Sequence, residues 1–94
     1  MLPKEILNTI IRFLSPYGVR SIRLFGSYAK GEQTQESDID LLVEFVDRIS
    51  LLKIARIERE LSEKTGYKID LLTNKSISPL LINRIYSESV LLEL

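Results

Sequence analysis

Two stretches decide the fold of this chain: Gly26-Ser27-Tyr28-Ala29-Lys30-Gly31 and Ser37-Asp38-Ile39-Asp40-Leu41-Leu42-Val43. Apolar residues alternate with polar ones before the first stretch, which predicts a strand over Ser21 to Phe25. The second stretch opens another alternating run, which predicts a strand over Asp38 to Phe45. Between the two strands, the pattern predicts a short helix and then an exposed polar loop. The order is therefore strand, tight turn, helix, loop, strand.

The segments on either side extend this alternation of helices and strands. Apolar residues at helical spacing predict helices, and a shorter apolar run predicts a third strand. The predicted elements are a first helix from Pro3 to Leu14, a further helix from Leu51 that ends at Gly66, a strand over Tyr67 to Thr73, and a last helix from Ser78-Pro79 to about Ser87. Residues Val90 to Leu94 are predicted to form a short edge strand or a contact surface.

The amino-acid composition excludes several classes of catalytic and metal-binding site. The 94 residues form one domain, 1–94, and carry 13 Lys+Arg against 13 Asp+Glu, so no strong nucleic-acid binding is expected. Cysteine and histidine are both absent, which excludes thiolate zinc sites and any Ser-His-Asp triad. A metal would have to be held by oxygen, as Mg²⁺ or Mn²⁺ is. With no signal-peptide stretch and no apolar run of membrane-spanning length, we expect a soluble cytoplasmic protein.

The tight turn and the second strand bring together the parts of a phosphate-transfer site. Gly26 allows a phosphate to approach the backbone, and Ser27 adds a hydroxyl beside the free amides of a helix start. The period of two places Asp38 and Asp40 on one strand face, about 6.5–7 Å apart, where they can share a divalent ion. If the third strand runs beside the second, Asp70 can complete a cluster of three carboxylates.

Gly26-Ser27, ten intervening residues and Asp38-Ile39-Asp40 resemble the signature of polymerase-beta-like nucleotidyltransferases. Nearly the whole chain is similar to the minimal nucleotidyltransferases, small antitoxins that are often paired with HEPN-domain toxins. The resemblance implies an α/β (α+β) fold with a mixed sheet of three core strands in the order 1-2-3, flanked by helices. It further implies metal-binding and catalytic roles for Asp38, Asp40 and Asp70.

The same resemblance implies triphosphate binding by Gly26 and Ser27, with Lys30 in a position where the family commonly has a basic residue. It implies two Mg²⁺ ions, ATP as substrate and AMP transfer to a tyrosine of a HEPN partner. Larger relatives have a further domain that holds the acceptor, and this chain has no room for one. We expect the isolated chain to be a monomer or a weak homodimer. The alternatives are an antitoxin that acts by contact alone and a nucleotidyltransferase of small molecules such as aminoglycosides.

Each of these residues also has a purely structural interpretation. Ser27 is interpreted as both helix cap and phosphate ligand. Asp70 could be an ordinary exposed strand residue, and Lys30 a solvated lysine. Arg20 and Arg23 are interpreted as solvated residues of the first strand, and Glu58 to Glu63 as a solvated helix face with charged pairs.

Overall fold

The computed structural model describes residues 2–92 and contains four helices and four strands within that range. The helices are α1 (Lys4–Leu14), α2 (Ser27–Lys30), α3 (Leu51–Thr65) and α4 (Pro79–Glu88). The strands are β1 (Val19–Phe25), β2 (Ile39–Phe45), β3 (Ile69–Leu72) and β4 (Val90–Leu92). Two short 3₁₀ turns lie at Ser15–Tyr17 and Asn74–Ser76.

The strands form one mixed sheet in the order β3-β2-β1-β4. β2 lies antiparallel to β1 and parallel to β3, which confirms the predicted order 1-2-3 of the core strands. α3 makes the long crossover that two parallel strands require. β4 adds a fourth strand, antiparallel to β1, so the C-terminal segment forms an edge strand as far as Leu92. Glu93 and Leu94 lie outside the described residues.

Three strands begin at a different residue from the predicted one, and β3 also ends at Leu72 instead of Thr73. β1 begins at Val19 because it pairs with Phe45, and a register shift follows between Val19 and Ser21. β2 begins at Ile39, so Asp38 comes directly before it. β3 begins only at Ile69, because the Tyr67 amide donates to the Thr65 hydroxyl at 3.2 Å instead of joining the ladder.

The two faces of the sheet have different environments. One face carries Ile39, Leu41 and Val43 of β2, which are fully buried against apolar residues of α1 and α3. The other face carries Asp40 and Leu42. Leu42 is only 1% exposed, so this second face is covered at its centre. The amphipathic faces of α1 and α3 therefore account for the core, and Asp40 lies on the opposite face.

Candidate active site

Gly26 forms the turn between β1 and α2. Its backbone has φ 72° and ψ −152°, a conformation open essentially to glycine alone. A Cβ atom added at this position would clash with the carboxylate of Asp40. A glycine is therefore required at position 26 for two reasons. The turn needs its backbone conformation, and the carboxylate of the neighbouring strand needs the space that a Cβ atom would occupy.

Ser27 is the first residue of α2, and the cap of this helix is Gly26. No side chain makes a capping hydrogen bond there, so the interpretation of Ser27 as a helix cap is wrong. Because α2 is a single turn, its macrodipole is small. The backbone amides of the turn and the Ser27 hydroxyl are the groups that can meet a phosphate.

Asp40 and Asp70 meet beside this turn, and Asp38 lies just before the same strand as Asp40. Asp40 and Asp70 are direct partners in the parallel ladder between β2 and β3, so the conditional prediction that β3 runs beside β2 is confirmed. Phe25, the last residue of β1, pairs with Asp40 from the other side. The carboxylate of Asp38 lies 3.6 Å from the Lys68 ammonium.

The electrostatics of this cluster are those of crowded acids. The pKa of Asp40 rises from an ordinary value of 3.8 to about 6. Burial is the main cause, followed by the charge of Asp70, a hydrogen bond shared with Asp70, and the charge of Asp38. Among residues 2–92, neither Asp40 nor Asp70 forms an ion pair, whereas Asp38 pairs with Lys68.

This donor set fits a divalent cation, because carboxylate oxygens are ligands that Mg²⁺ accepts and a cation would relieve the repulsion. Within residues 2–92, however, no three acidic side chains stand in a ready-made arrangement for a metal ion. The structure brings Asp40 and Asp70 together and places Asp38 within electrostatic reach of Asp40. Its carboxylates would have to adjust to act as one ligand set.

Lys30, at the end of α2, forms an ion pair with Glu88 of α4 at 3.3 Å. Glu88 also contacts Arg84 at 3.4 Å. The pKa of Glu88 is lowered, mainly by its hydrogen bond to Lys30. Lys30 is thus neither a free phosphate contact nor a simply solvated lysine, and binding a triphosphate would exchange one anionic partner for another.

Arg23 is a residue that sequence reasoning interpreted wrongly as solvated. Its guanidinium lies 4.6 Å from the centre of the Tyr86 ring and donates to the Ser89 hydroxyl at 3.1 Å, while its buried Nε has no hydrogen-bond partner among residues 2–92. Arg23 pairs with Leu42, which places it on the same sheet face as Asp40. The alternation of β1 indicated a residue turned away from the core, but not that α4 covers this face. Arg20 is exposed, as expected.

Glu58 was also interpreted wrongly as part of a solvated face. Its carboxylate accepts a hydrogen bond from the backbone amide of Leu71 at 2.7 Å. Four residues on, the Ser62 hydroxyl accepts one from the amide of Ile69 at 3.0 Å. Glutamate on a helix gives no local signal of such a contact, because it depends on where β3 lies relative to α3.

A cleft of about 860 Å³ lies at the opposite end of β2 from Asp40. It is lined by the segment 43–49, by the start of α3 and by the turn Asn74–Ser76. None of the three aspartates lines it. The cleft is therefore separate from the aspartate cluster.

The profile of the nucleotidyltransferase domain matches residues 4–92. The chain belongs to this family of enzymes. This nucleotidyltransferase domain is 49% identical over 86 residues to MJ0435 of Methanocaldococcus jannaschii, which is named as a protein adenylyltransferase, and the match covers 92% of each chain.

Solved structures extend the likeness. The nucleotidyltransferase domain is similar to a toxin–antitoxin complex with AMP-PNP, with a TM-score of 0.84 and 28% identity over 93% of this chain and 72% of that one. A Shewanella oneidensis complex of a tri-AMPylated HEPN toxin with an MNT antitoxin has a TM-score of 0.78 at 24% identity, covering 96% and 71% of the two chains. At that identity the second likeness shows the fold alone.

In the part of the domain that the structure describes, no helix is long and apolar enough to span a membrane.

Proposed function

We propose that this chain is a single minimal nucleotidyltransferase domain that transfers AMP from ATP to a tyrosine of a HEPN-type toxin in the cytoplasm. It would act in this way as the toxin's antitoxin. The observation that carries the proposal is the pairing of Asp40 with Asp70 directly beside the Gly26 turn. Further support comes from the adenylyltransferase name of MJ0435 and from the toxin–antitoxin complex that holds AMP-PNP.

In this proposal the residues of the site bind the phosphates, hold the metal ions or accept the proton. The amides of the Gly26 turn and the Ser27 hydroxyl orient the β- and γ-phosphates, and Lys30 leaves Glu88 to neutralise them. Asp38, Asp40 and Asp70 would hold two Mg²⁺ ions, for which Mn²⁺ can substitute. A bound ion supplies neutralisation of the triphosphate charge and a lower pKa for the acceptor hydroxyl.

The reaction is an in-line substitution at the α-phosphorus. The tyrosine oxygen forms a bond to that phosphorus, and the bond to the oxygen that bridges to the β-phosphate breaks. Pyrophosphate leaves with the electron pair, and Asp70 takes the phenolic proton. Because this chemistry depends on alignment, the partner would have to present its tyrosine in line with the α-phosphorus, beside the aspartates.

The test compares ATP labelled on the α-phosphate with ATP labelled on the γ-phosphate, using the purified chain with a HEPN-type partner. AMP transfer predicts that only the α label reaches the partner, and that it maps to a tyrosine. Label from the γ-phosphate would instead show phosphoryl transfer and contradict the proposal. The double variant Asp38→Asn with Asp40→Asn should abolish labelling, whereas Asp47→Asn, an exposed carboxylate after β2, should not.

The two alternatives predict different outcomes in the same assay. An antitoxin that acts by contact alone would neutralise the partner without any label, and the double variant would neutralise it equally well. A small-molecule nucleotidyltransferase would label an aminoglycoside rapidly without any partner protein. Either result would contradict the proposed reaction.

A further inference from the structure

The free edge of β3 is held by side chains of α3. β3 pairs with β2 on one side only, and on its other side Glu58 and Ser62 accept hydrogen bonds from the amides of Leu71 and Ile69. These two amides flank Asp70. The peptide unit that joins Asp70 to Leu71 is therefore anchored directly to the Glu58 carboxylate.

The spacing of the two contacts matches the geometry of the two elements. Residues four apart on a helix lie on one face and are separated by about 6 Å along its axis. Alternate residues of a strand are separated by about 6.6 Å and point their amides the same way. Glu58 and Ser62 can therefore bond Leu71 and Ile69 together, with α3 antiparallel to β3.

The two acceptors strengthen these contacts in different ways. The Ser62 hydroxyl donates to the Glu58 carbonyl at 2.8 Å while it accepts from Ile69, so its orientation is set from two sides. The bond from Leu71 to Glu58 involves a charged acceptor, and such bonds are the stronger ones. Leu71 and Ile69 are buried on the core face of the sheet, which leaves Asp70 on the face of Asp40.

We propose that Glu58 and Ser62 are positioning residues for Asp70: they fix the edge strand so that the Asp70 carboxylate stays opposite Asp40. The inference rests on the proposed function, because it assumes that Asp70 acts in the transfer. A strand edge can also be covered simply to prevent pairing with another chain. Edge cover alone would affect stability, whereas positioning also affects turnover and the response to Mg²⁺.

The test measures AMP transfer to the partner by Glu58→Leu, Glu58→Gln and Ser62→Ala, with Glu63→Leu as an exposed control on the same helix. Rates are divided by the folded fraction of each variant. Replacing a residue that hydrogen-bonds to a metal ligand typically lowers activity or metal affinity by about 10–100-fold. We expect Glu58→Leu to lower kcat about tenfold and to raise the Mg²⁺ concentration for half-maximal rate, while KM for ATP changes less than about twofold.

The amide oxygen of Glu58→Gln can still accept from Leu71, so this variant should recover most of the rate. Ser62→Ala should change kcat in the same direction as Glu58→Leu, but less. Hydrogen exchange of the Leu71 amide should accelerate in Glu58→Leu only. These results together would support positioning through the backbone.

Three outcomes would overturn the inference. One is a lower Tm for Glu58→Leu with wild-type kcat and wild-type Mg²⁺ response. That result would mean that the contact only covers the edge of β3 and does not position Asp70. Another is a Glu58→Gln variant as slow as Glu58→Leu, which would assign the effect to charge. A third, if Glu58→Leu fails to fold, is wild-type kinetics for Ser62→Ala. Full activity of Asp70→Asn would refute the assigned role of Asp70 itself, independently of these variants.

Discussion

Replacing Asp40 by asparagine should stabilise the metal-free protein while it abolishes transfer. The carboxyl of Asp40 has a pKa of about 6 in the folded chain against 3.8 ordinarily, so folding disfavours its charged form. At face value this difference corresponds to about 3 kcal/mol near neutral pH. Because Asp40 is only half-buried, solvent screening reduces the cost to about 1–2 kcal/mol. Asparagine removes the charge and can still donate a hydrogen bond to Asp70.

The assay is thermal unfolding at pH 7.5 with chelator present. A gain of 1–2 kcal/mol in a domain of this size raises Tm by about 5–10 °C. Wild-type stability from this group should rise as pH falls from about 6 towards 3.8, because the folded state then takes up the proton that it binds more tightly. Asp40→Asn should lack this rise. Asp47→Asn, which removes the same charge from an exposed position, should leave Tm nearly unchanged.

Adding Mg²⁺ and a non-hydrolysable ATP analogue should give wild type a higher Tm than Asp40→Asn, the reverse of the order expected in chelator. Ligands that bind the folded state alone raise its stability by mass action, and only wild type retains the full ligand set. A lower Tm for Asp40→Asn than for wild type in chelator would refute the reasoning. It would mean that the Asp40 carboxylate is compensated within the folded chain.

Gly26→Ala should lower the free energy of unfolding in urea by more than about 2 kcal/mol, because it adds a clash to a backbone conformation that costs about 1–3 kcal/mol for other residues. Gly31→Ala should lower it by only about 1 kcal/mol, because a Cβ atom there would meet nothing within 4 Å. Equal losses for the two variants would contradict the role of the clash. Arg23→Lys should lower Tm, because lysine cannot stack on the α4 ring and bond Ser89 at once, and an unchanged Tm would count against that contact. Glu88→Gln should lower KM for ATP because it releases Lys30 to bind the triphosphate, and Lys30→Met should raise KM because it removes that positive charge. If KM shifts in the same direction in both variants, Lys30 does not exchange Glu88 for the triphosphate.

The sequence predicted those parts of the site that depend on local pattern. Alternation within β2 is enough to place Asp40 on the face opposite the buried Ile39 and Leu41, and a glycine between a strand and a helix is enough to indicate a tight turn. The pairing of Asp40 with Asp70 was predicted only on the condition that β3 lies beside β2. That condition is a tertiary fact, which the apolar burial of both strands made reasonable but did not determine.

The errors about charged side chains all concern contacts between elements distant in sequence. Arg23 and Glu58 were interpreted as solvated because both lie off the apolar faces of their elements. α4 then covers the sheet face that carries Arg23, and β3 brings the Leu71 amide to Glu58. Lys30 is a similar case, since its partner Glu88 belongs to the last helix. A charged side chain has no periodicity that reveals such partners.

The most direct test of the central claim is the intact mass of a HEPN-type partner co-expressed with this chain. We expect wild type to add whole AMP units to the partner, and the added mass to map to tyrosine. The double variant Asp38→Asn with Asp40→Asn should add none, while Asp47→Asn should add as much as wild type. A partner of unmodified mass that is nevertheless fully neutralised by the wild-type chain would contradict the account.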